Sequence, residues 1–183
     1  MKGETSIKVY TRFQDVEATG SHEKANYTWE VKLAADSDVE PTVAHLSGHM
    51  HDQQRAAFRD KLERYVIKPD RDLLLAKRGG QVLGLVCVIE QAEFPSSLRN
   101  HAVDLLLNFA CTTQLLVHPR GRKQGIGKSL QLQAEQWARE RSKDGLWLVT
   151  HRMAYWYQSH LGYQEVDRTK VKNTEKIVMA KEF

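Results

Sequence analysis

Residues 115–128 read Leu-Leu-Val-His-Pro-Arg-Gly-Arg-Lys-Gln-Gly-Ile-Gly-Lys, an apolar run that ends in a basic, glycine-rich turn and then enters a helical pattern. That order suits anion binding. Glycines let the backbone turn tightly and come close to a ligand. The first N–H groups of a helix have no partner inside it, so a phosphate seated there meets several aligned donors. Arg120, Arg122, Lys123 and Lys128 stand where a nucleotide phosphate would need positive charge.

Two familiar phosphate loops do not fit. Gly127-Lys128-Ser129 matches the end of Gly-x-x-x-x-Gly-Lys-Ser/Thr, but the first glycine position holds Arg122, with Gly121 one place too early. A Gly-x-Gly-x-x-Gly fingerprint from Gly125 and Gly127 would need a small residue where Leu130 stands, and too little chain follows for several βα units. The plainest alternative is an ordinary strand-to-helix turn with solvated bases.

The elements that must position this turn can be outlined from periodicity. Ile7–Phe13 is a candidate strand, followed by a polar stretch from Asp15 to Asn26, and Trp29–Leu33 alternates as a half-buried strand does. Ser37-Asp38-Val39-Glu40 reads as a capping box, opening a helix through Val43, Leu46 and Met50. A second helix is expected over Gln53–Val66, and a β-hairpin joins Leu73–Ala76 to Val82–Ile89. Glu93–Leu107 has no clear period. Phe109–Val117 should be a central strand, Ile126–Glu140 a helix burying Ile126, Leu130, Ala134 and Trp137, and Leu146–Thr150 the next strand. A short helix from Ala154 and strands near Gln164–Thr169 and Thr174–Ala180 complete the pattern.

Composition narrows the class further. With 183 residues and 41% hydrophobic content, the chain suffices for one buried core. A polar N-terminus and the absence of a span-length apolar stretch give no support for secretion or membrane insertion, so the expected compartment is cytoplasmic. Cys87 and Cys111 sit in or beside apolar runs with no paired spacing, as buried free thiols would. The net charge of +4 is compatible with an anionic ligand or nucleic acid, but no interleaved basic and aromatic motif supports the latter. Among eight histidines only His45, His49 and His51 cluster, without a convincing third ligand, so no metal is expected.

Two segments resemble the GNAT acetyltransferase superfamily. Val117-His118-Pro119 followed by Arg122-Lys123-Gln124-Gly125-Ile126-Gly127 is similar to its cofactor segment, Val-x-Pro then Arg/Gln-x-x-Gly-x-Gly/Ala. His151-Arg152-Met153-Ala154-Tyr155-Trp156-Tyr157-Gln158-Ser159-His160-Leu161-Gly162-Tyr163 is similar to Asn-x-x-Ala-x-x-Phe-Tyr-x-x-Leu-Gly-Phe. The candidate strand and polar stretch of residues 1–28 read as an N-terminal extension, and the resemblance implies an N-acetyltransferase domain over 29–183. It also implies a mixed, mostly antiparallel sheet of about six to seven strands with about four helices. The strands Phe109–Val117 and Leu146–Thr150 would splay to admit acetyl-CoA. By resemblance, backbone N–H groups of Gln124, Gly125, Ile126 and Gly127 face the diphosphate, Arg122, Lys123 and Lys128 add phosphate contacts, and Leu115, Leu116 and Val117 pair with the pantetheine arm.

The implied acceptor is a primary amine on a small molecule or peptide. A homodimer stays open, and neither a membrane nor nucleic acid is an expected partner. A lysine-like amine is neutral at pH 7 about once in 2,500 molecules, a cost of roughly 4.6 kcal/mol, so its proton must be removed. Gln158 occupies the position at which relatives carry the tyrosine that protonates the departing thiolate, leaving Tyr157 as the candidate acid and Tyr155 as a second. Gln114 lies on the strand where many relatives carry an acid, so Glu90, Glu93, His118 and His151 are the remaining candidate bases. These departures admit a second function, an acyl-CoA-binding regulatory module with little turnover.

Overall fold

The computed structural model describes residues 8–15, 24–48, 50–171 and 174–183. Their strands are β1 (Lys8–Asp15), β2 (Lys24–Leu33), β3 (Arg71–Arg78), β4 (Gln81–Ile89), β5 (Phe109–Val117), β6 (Gly145–Thr150), β7 (Gln164–Val171) and β8 (Thr174–Glu182). They form one sheet in the order β1-β2-β3-β4-β5-β6-β8-β7. Only β5 and β6 run parallel. The helices are α1 (Val39–Leu46), α2 (Asp52–Ile67), α3 (Asn100–Leu106), α4 (Ile126–Glu140) and α5 (Ala154–Leu161). The mixed, mostly antiparallel architecture is the expected one. The sheet has eight strands because β1 pairs along β2, which itself begins at Lys24 rather than Trp29.

Helices cover both faces of the central strands, so β3 and β4 read as near-continuous apolar runs rather than alternating ones. On one face α4 lays Ile126, Leu130, Ala134 and Trp137 over Leu74, Val86 and Val88, the stripe its period predicts. On the other, Val43 and Leu46 of α1 and Phe58, Leu62 and Tyr65 of α2 close over Leu73, Leu75 and Leu85. The segment without a clear period contains α3, whose Ala102 and Leu106 pack on Phe109, Cys111 and Trp147. Asp167 of β7 fastens this segment, accepting from the Arg99 side chain at 2.6 Å and its backbone N–H at 2.9 Å. Cys87 and Cys111 are buried free thiols, as their apolar setting implied.

The expected capping box does not form. Ser37 is exposed, and Glu40 turns outward to Arg59, with Nε at 2.6 Å. Asp38 takes the structural role instead: its carboxylate accepts from the Ala35 N–H at 3.0 Å, Lys77 at 2.6 Å and Lys32 at 3.0 Å, tying β2 and β3 to the start of α1. The helix also stops at Leu46, short of Met50. The Ser47 hydroxyl donates back to the Val43 carbonyl at 2.6 Å, and Gly48 follows.

One irregularity matters for the site. Cys87 pairs with Gln114 and Val88 with Thr112, so Thr113 is an extra residue on β5, a bulge. Beyond it, pairing with β6 ceases: the parallel ladder covers only Phe109–Thr112 against Gly145–Leu148. The rest of β5, Thr113–Val117, thus has no partner on β6.

Burial pushes the Asp38 carboxyl upward, but the Lys77, Ala35 and Lys32 bonds outweigh it and hold the pKa at about 2, below the ordinary 3.8. A depressed acid contributes stability above its unfolded pKa and loses it as pH falls toward the folded value. The shift corresponds to about 2 kcal/mol, present at neutral pH and fading between pH 4 and 2. Asp38→Asn should therefore lower the unfolding free energy in urea by about 3 kcal/mol at pH 7, and by much less near pH 2. Glu40→Gln, at an exposed pair, should cost under about 1 kcal/mol at either pH.

Candidate functional site

Past the bulge, β5 leads into a locally fastened loop. The His118 N–H donates to the Leu83 carbonyl of β4 at 2.8 Å, and its Nδ1 accepts from the Arg120 N–H at 3.2 Å, capping a single 3-10 turn over Pro119–Gly121. His118 is thus a positioning residue. The Gln124 side chain ties the loop twice, donating to the Arg120 carbonyl at 2.7 Å and accepting from Arg78 Nη2 at 2.5 Å. Arg78 ends β3, and the sequence showed it only as a hairpin residue. The backbone then passes through the left-handed region at Lys123 (φ 61°) and Gly125 (φ 88°) before α4 begins. The Ser129 N–H reaches the Gly125 carbonyl at 2.9 Å, so the amides of Ile126, Gly127 and Lys128 precede the helical ladder.

These segments border one cleft of about 930 Å³. Leu115, Leu116 and Val117 line it from β5, and Arg122, Lys123, Gln124, Gly125, Ile126, Gly127 and Lys128 from the loop and the start of α4. All ten residues assigned to cofactor binding are therefore brought together. They differ in kind: Arg122, Lys123 and Lys128 are exposed at the rim, whereas the Ile126 side chain is buried in the core and only its backbone is available. A Cβ on Gly127 would meet Val117 Cγ2 at 3.5 Å and the Trp156 ring at 3.8 Å, so this glycine keeps the cleft floor open.

The opposite wall belongs to α5. Met153, Trp156, Tyr157 and His160 all line the cleft. They are spaced i, i+3, i+4 and i+7, one helical face legible in the sequence, of which the sequence reading assigned only Tyr157 to the site. Trp156 meets Tyr157 edge-on at 4.9 Å and stacks on His160 at 6.1 Å. Gly121 and Ser129 also line the cleft, as do Trp29 and Leu132, which no sequence motif signals. Of the two candidate acids, Tyr155 is 78% exposed and outside the lining, while Tyr157 is in it. Burial pushes the Tyr157 phenol up to about 12. Gln158 is exposed and outside the lining.

None of the four candidate bases lines the cleft. Glu90 accepts from Arg141 Nε at 3.2 Å, just past the C-terminal end of α4, a helix about 22 Å long whose other end carries the glycines. His151 Nδ1 lies 3.0 Å from the Glu175 carbonyl, and Glu93 is exposed. Gln114 is turned toward α2, where Lys61 Nζ donates to its Oε1 at 2.7 Å. No group of three or more His, Cys, Asp or Glu among the described residues is placed to hold a metal. His49, central to the histidine cluster, lies outside them.

A central sheet opened beside a glycine-rich helix start is the frame of an acyl-CoA-binding transferase. The model of the acetyltransferase (GNAT) family matches residues 34–163, and the chain belongs to that family. A search of curated proteins finds no match. Solved structures with the same fold include an aminoglycoside 6'-acetyltransferase type Ii, with 18% identity, 83% of this chain and 96% of that chain covered, and TM-score 0.65. The PaiA N-acetyltransferase of Thermoplasma acidophilum, in complex with coenzyme A, has 16% identity, coverage of 86% and 100%, and TM-score 0.62. The ribosomal-protein-S18-alanine N-acetyltransferase of Escherichia coli has 15% identity, coverage of 83% and 92%, and TM-score 0.59. No helix of the described residues is long and apolar enough to cross a membrane.

The two loop glycines should respond differently to a methyl group. Gly125→Ala forces a side chain into the left-handed region and should destabilise the fold by about 1 kcal/mol in urea. Gly127→Ala meets only ordinary contacts and should stay within about 0.5 kcal/mol of the parent.

Proposed function

We propose that the protein transfers an acetyl group from acetyl-CoA to a primary amine. The observation that carries this reading is the convergence on one cleft of the freed end of β5, the amides that open α4 and the face of α5. Acetyl-CoA supplies the activated acetyl group. The chain's own part is to hold it. Amides of residues 124–127 receive the diphosphate, each bond to a charged oxygen contributing about 1.5–3 kcal/mol. Arg122, Lys123 and Lys128 add about 0–1 kcal/mol each at the exposed rim. Leu115–Val117, released from β6, offer strand-type hydrogen bonds to the pantetheine arm. The transferase unit is residues 29–183, with 1–28 an extension that includes β1 and the start of β2.

Tyr157 is the proposed proton donor to the departing thiolate. Its raised pKa keeps the phenol protonated throughout the working range. Glu90, Glu93, His118 and His151 are outside the cleft lining, so the amine's proton leaves to His160, which lines it, or to solvent. A binding module with little turnover is favoured by one observation, the placement of both glutamines: Gln158 outside the lining and Gln114 on Lys61.

Calorimetry with acetyl-CoA and thiol release with an amine library test these readings. Gly127→Leu should weaken acetyl-CoA binding by about tenfold or more, and Lys123→Ala by about threefold or less. Unchanged affinity in Gly127→Leu would refute the loop assignment. Tyr157→Phe should lower kcat by about a hundredfold with little change in acetyl-CoA affinity, and the parent should show no phenol-ionisation limb below pH 10. Tight binding without amine-dependent thiol release would support the module instead.

A further inference from the structure

Beyond Thr112, β5 has a second face, away from α4 and next to the cleft lining rather than part of it. There α2 contributes Lys61, bonded to Gln114, and Tyr65, whose hydroxyl lies 2.5 Å from Thr113 Oγ1. The bulge makes this possible. Strand alternation would send Thr113 and Gln114 to opposite faces, whereas the extra residue turns both toward α2 and returns Leu115 to the α4 side.

The charge arrangement is specific. Two neighbouring bases have carboxylates, Arg59 with Glu40 at 2.6 Å and Arg71 with Asp70 at 2.7 Å, while exposed Arg64 donates to the Asp60 backbone carbonyl at 3.1 Å. Lys61 is half-buried, yet among the described residues no carboxylate lies within 4.0 Å of it. Its contacts are the neutral Gln114 amide and the Tyr65 ring, 5.9 Å to the centroid. Beneath it, Cys87 and Cys111 are buried thiols that supply no anion. An ammonium partly withdrawn from water without a counter-ion is a poor arrangement for a purely structural lysine and a ready receptor for an anion.

We infer that Lys61 anchors a carboxylate carried by the acceptor, so that the substrate class is amines bearing a carboxylate, as in amino acids. This rests on the acetyl-transfer reading, because Gln114 directly precedes the strand segment assigned to the pantetheine arm. The same ammonium repels polycationic acceptors, so the aminoglycoside chemistry named for one structural neighbour is disfavoured here.

The test uses product-like probes on the full chain, with and without coenzyme A. N-acetylglycine, N-acetylleucine, N-acetylphenylalanine and N-acetylglutamate are each compared with the primary amide of the α-carboxyl, beside N-acetylspermidine, by calorimetry. At least one acid should bind about tenfold or more tightly than its amide. Lys61→Gln should erase that preference and Lys61→Arg should restore most of it, while coenzyme A affinity stays within about threefold of the parent. The inference is overturned if no acid is preferred, if N-acetylspermidine binds best, or if Lys61→Gln keeps the preference. Should Lys61→Gln fail to fold, the parent's acid preference must fall with added salt, and a salt-independent preference overturns the inference. Failure to bind coenzyme A would refute the transfer reading separately, since the carboxylate preference is also measured without it.

Discussion

Opposite the Cys87–Val88 step of β4, β5 supplies three residues where the ladder has room for two. That single extra residue, Thr113, governs the architecture around it. A bulge strengthens local twist and re-aims side chains, and here it coincides with the end of the β5–β6 ladder at Thr112 and Leu148. On the side away from β4, with which they still pair, the peptide groups of Leu115–Val117 are thereby left beside a cleft instead of joining β6. Everything downstream depends on it: the loop at 118–125 leaves from this freed end, and α4 begins where the loop delivers it.

The cleft is rigid on one wall and aromatic on the other. The loop is braced by short side-chain bonds, above all the Arg78–Gln124–Arg120 link, which fixes a glycine-rich segment that would otherwise be the most adaptable part of the chain. On the α5 wall, Trp156, Tyr157 and His160 make ring-to-ring contacts, and Tyr157 is further held edge-on against Tyr163 at 5.6 Å. Pre-positioned donors and a packed wall lose little freedom on binding, which favours affinity for an extended ligand. The side of β5 turned toward α2 is of another kind, with the Lys61–Gln114 and Tyr65–Thr113 contacts set beside an apolar cluster.

Much of this was legible before any coordinates. The boundaries of β5, α4 and the start of α5 follow from apolar runs and helical period, because these elements bury a full stripe and the stripe fixes the register. The α5 face was equally visible in the spacing of Met153, Trp156, Tyr157 and His160, though period alone does not say whether such a face lines a core or a cleft. The cap at Ser37 was misread because Asp38, one residue on, has two lysines within reach across β2 and β3, and charge-assisted bonds outweigh a hydroxyl cap. Glu90 was an open candidate base until its partner Arg141 was seen at the far end of α4.

Local sequence determined what depends on neighbours along the chain: most strand and helix positions, the tight glycine-rich turn before α4, the amides at its start. Tertiary structure alone decided what depends on register between strands and on partners from distant segments. No residue type announces the bulge at Thr113, and nothing near Gln114 in the sequence announces Lys61, fifty-three positions away. Pairing across a sheet is set by the whole core's packing, so the direction in which β5 presents its polar side chains is a property of the fold rather than of β5.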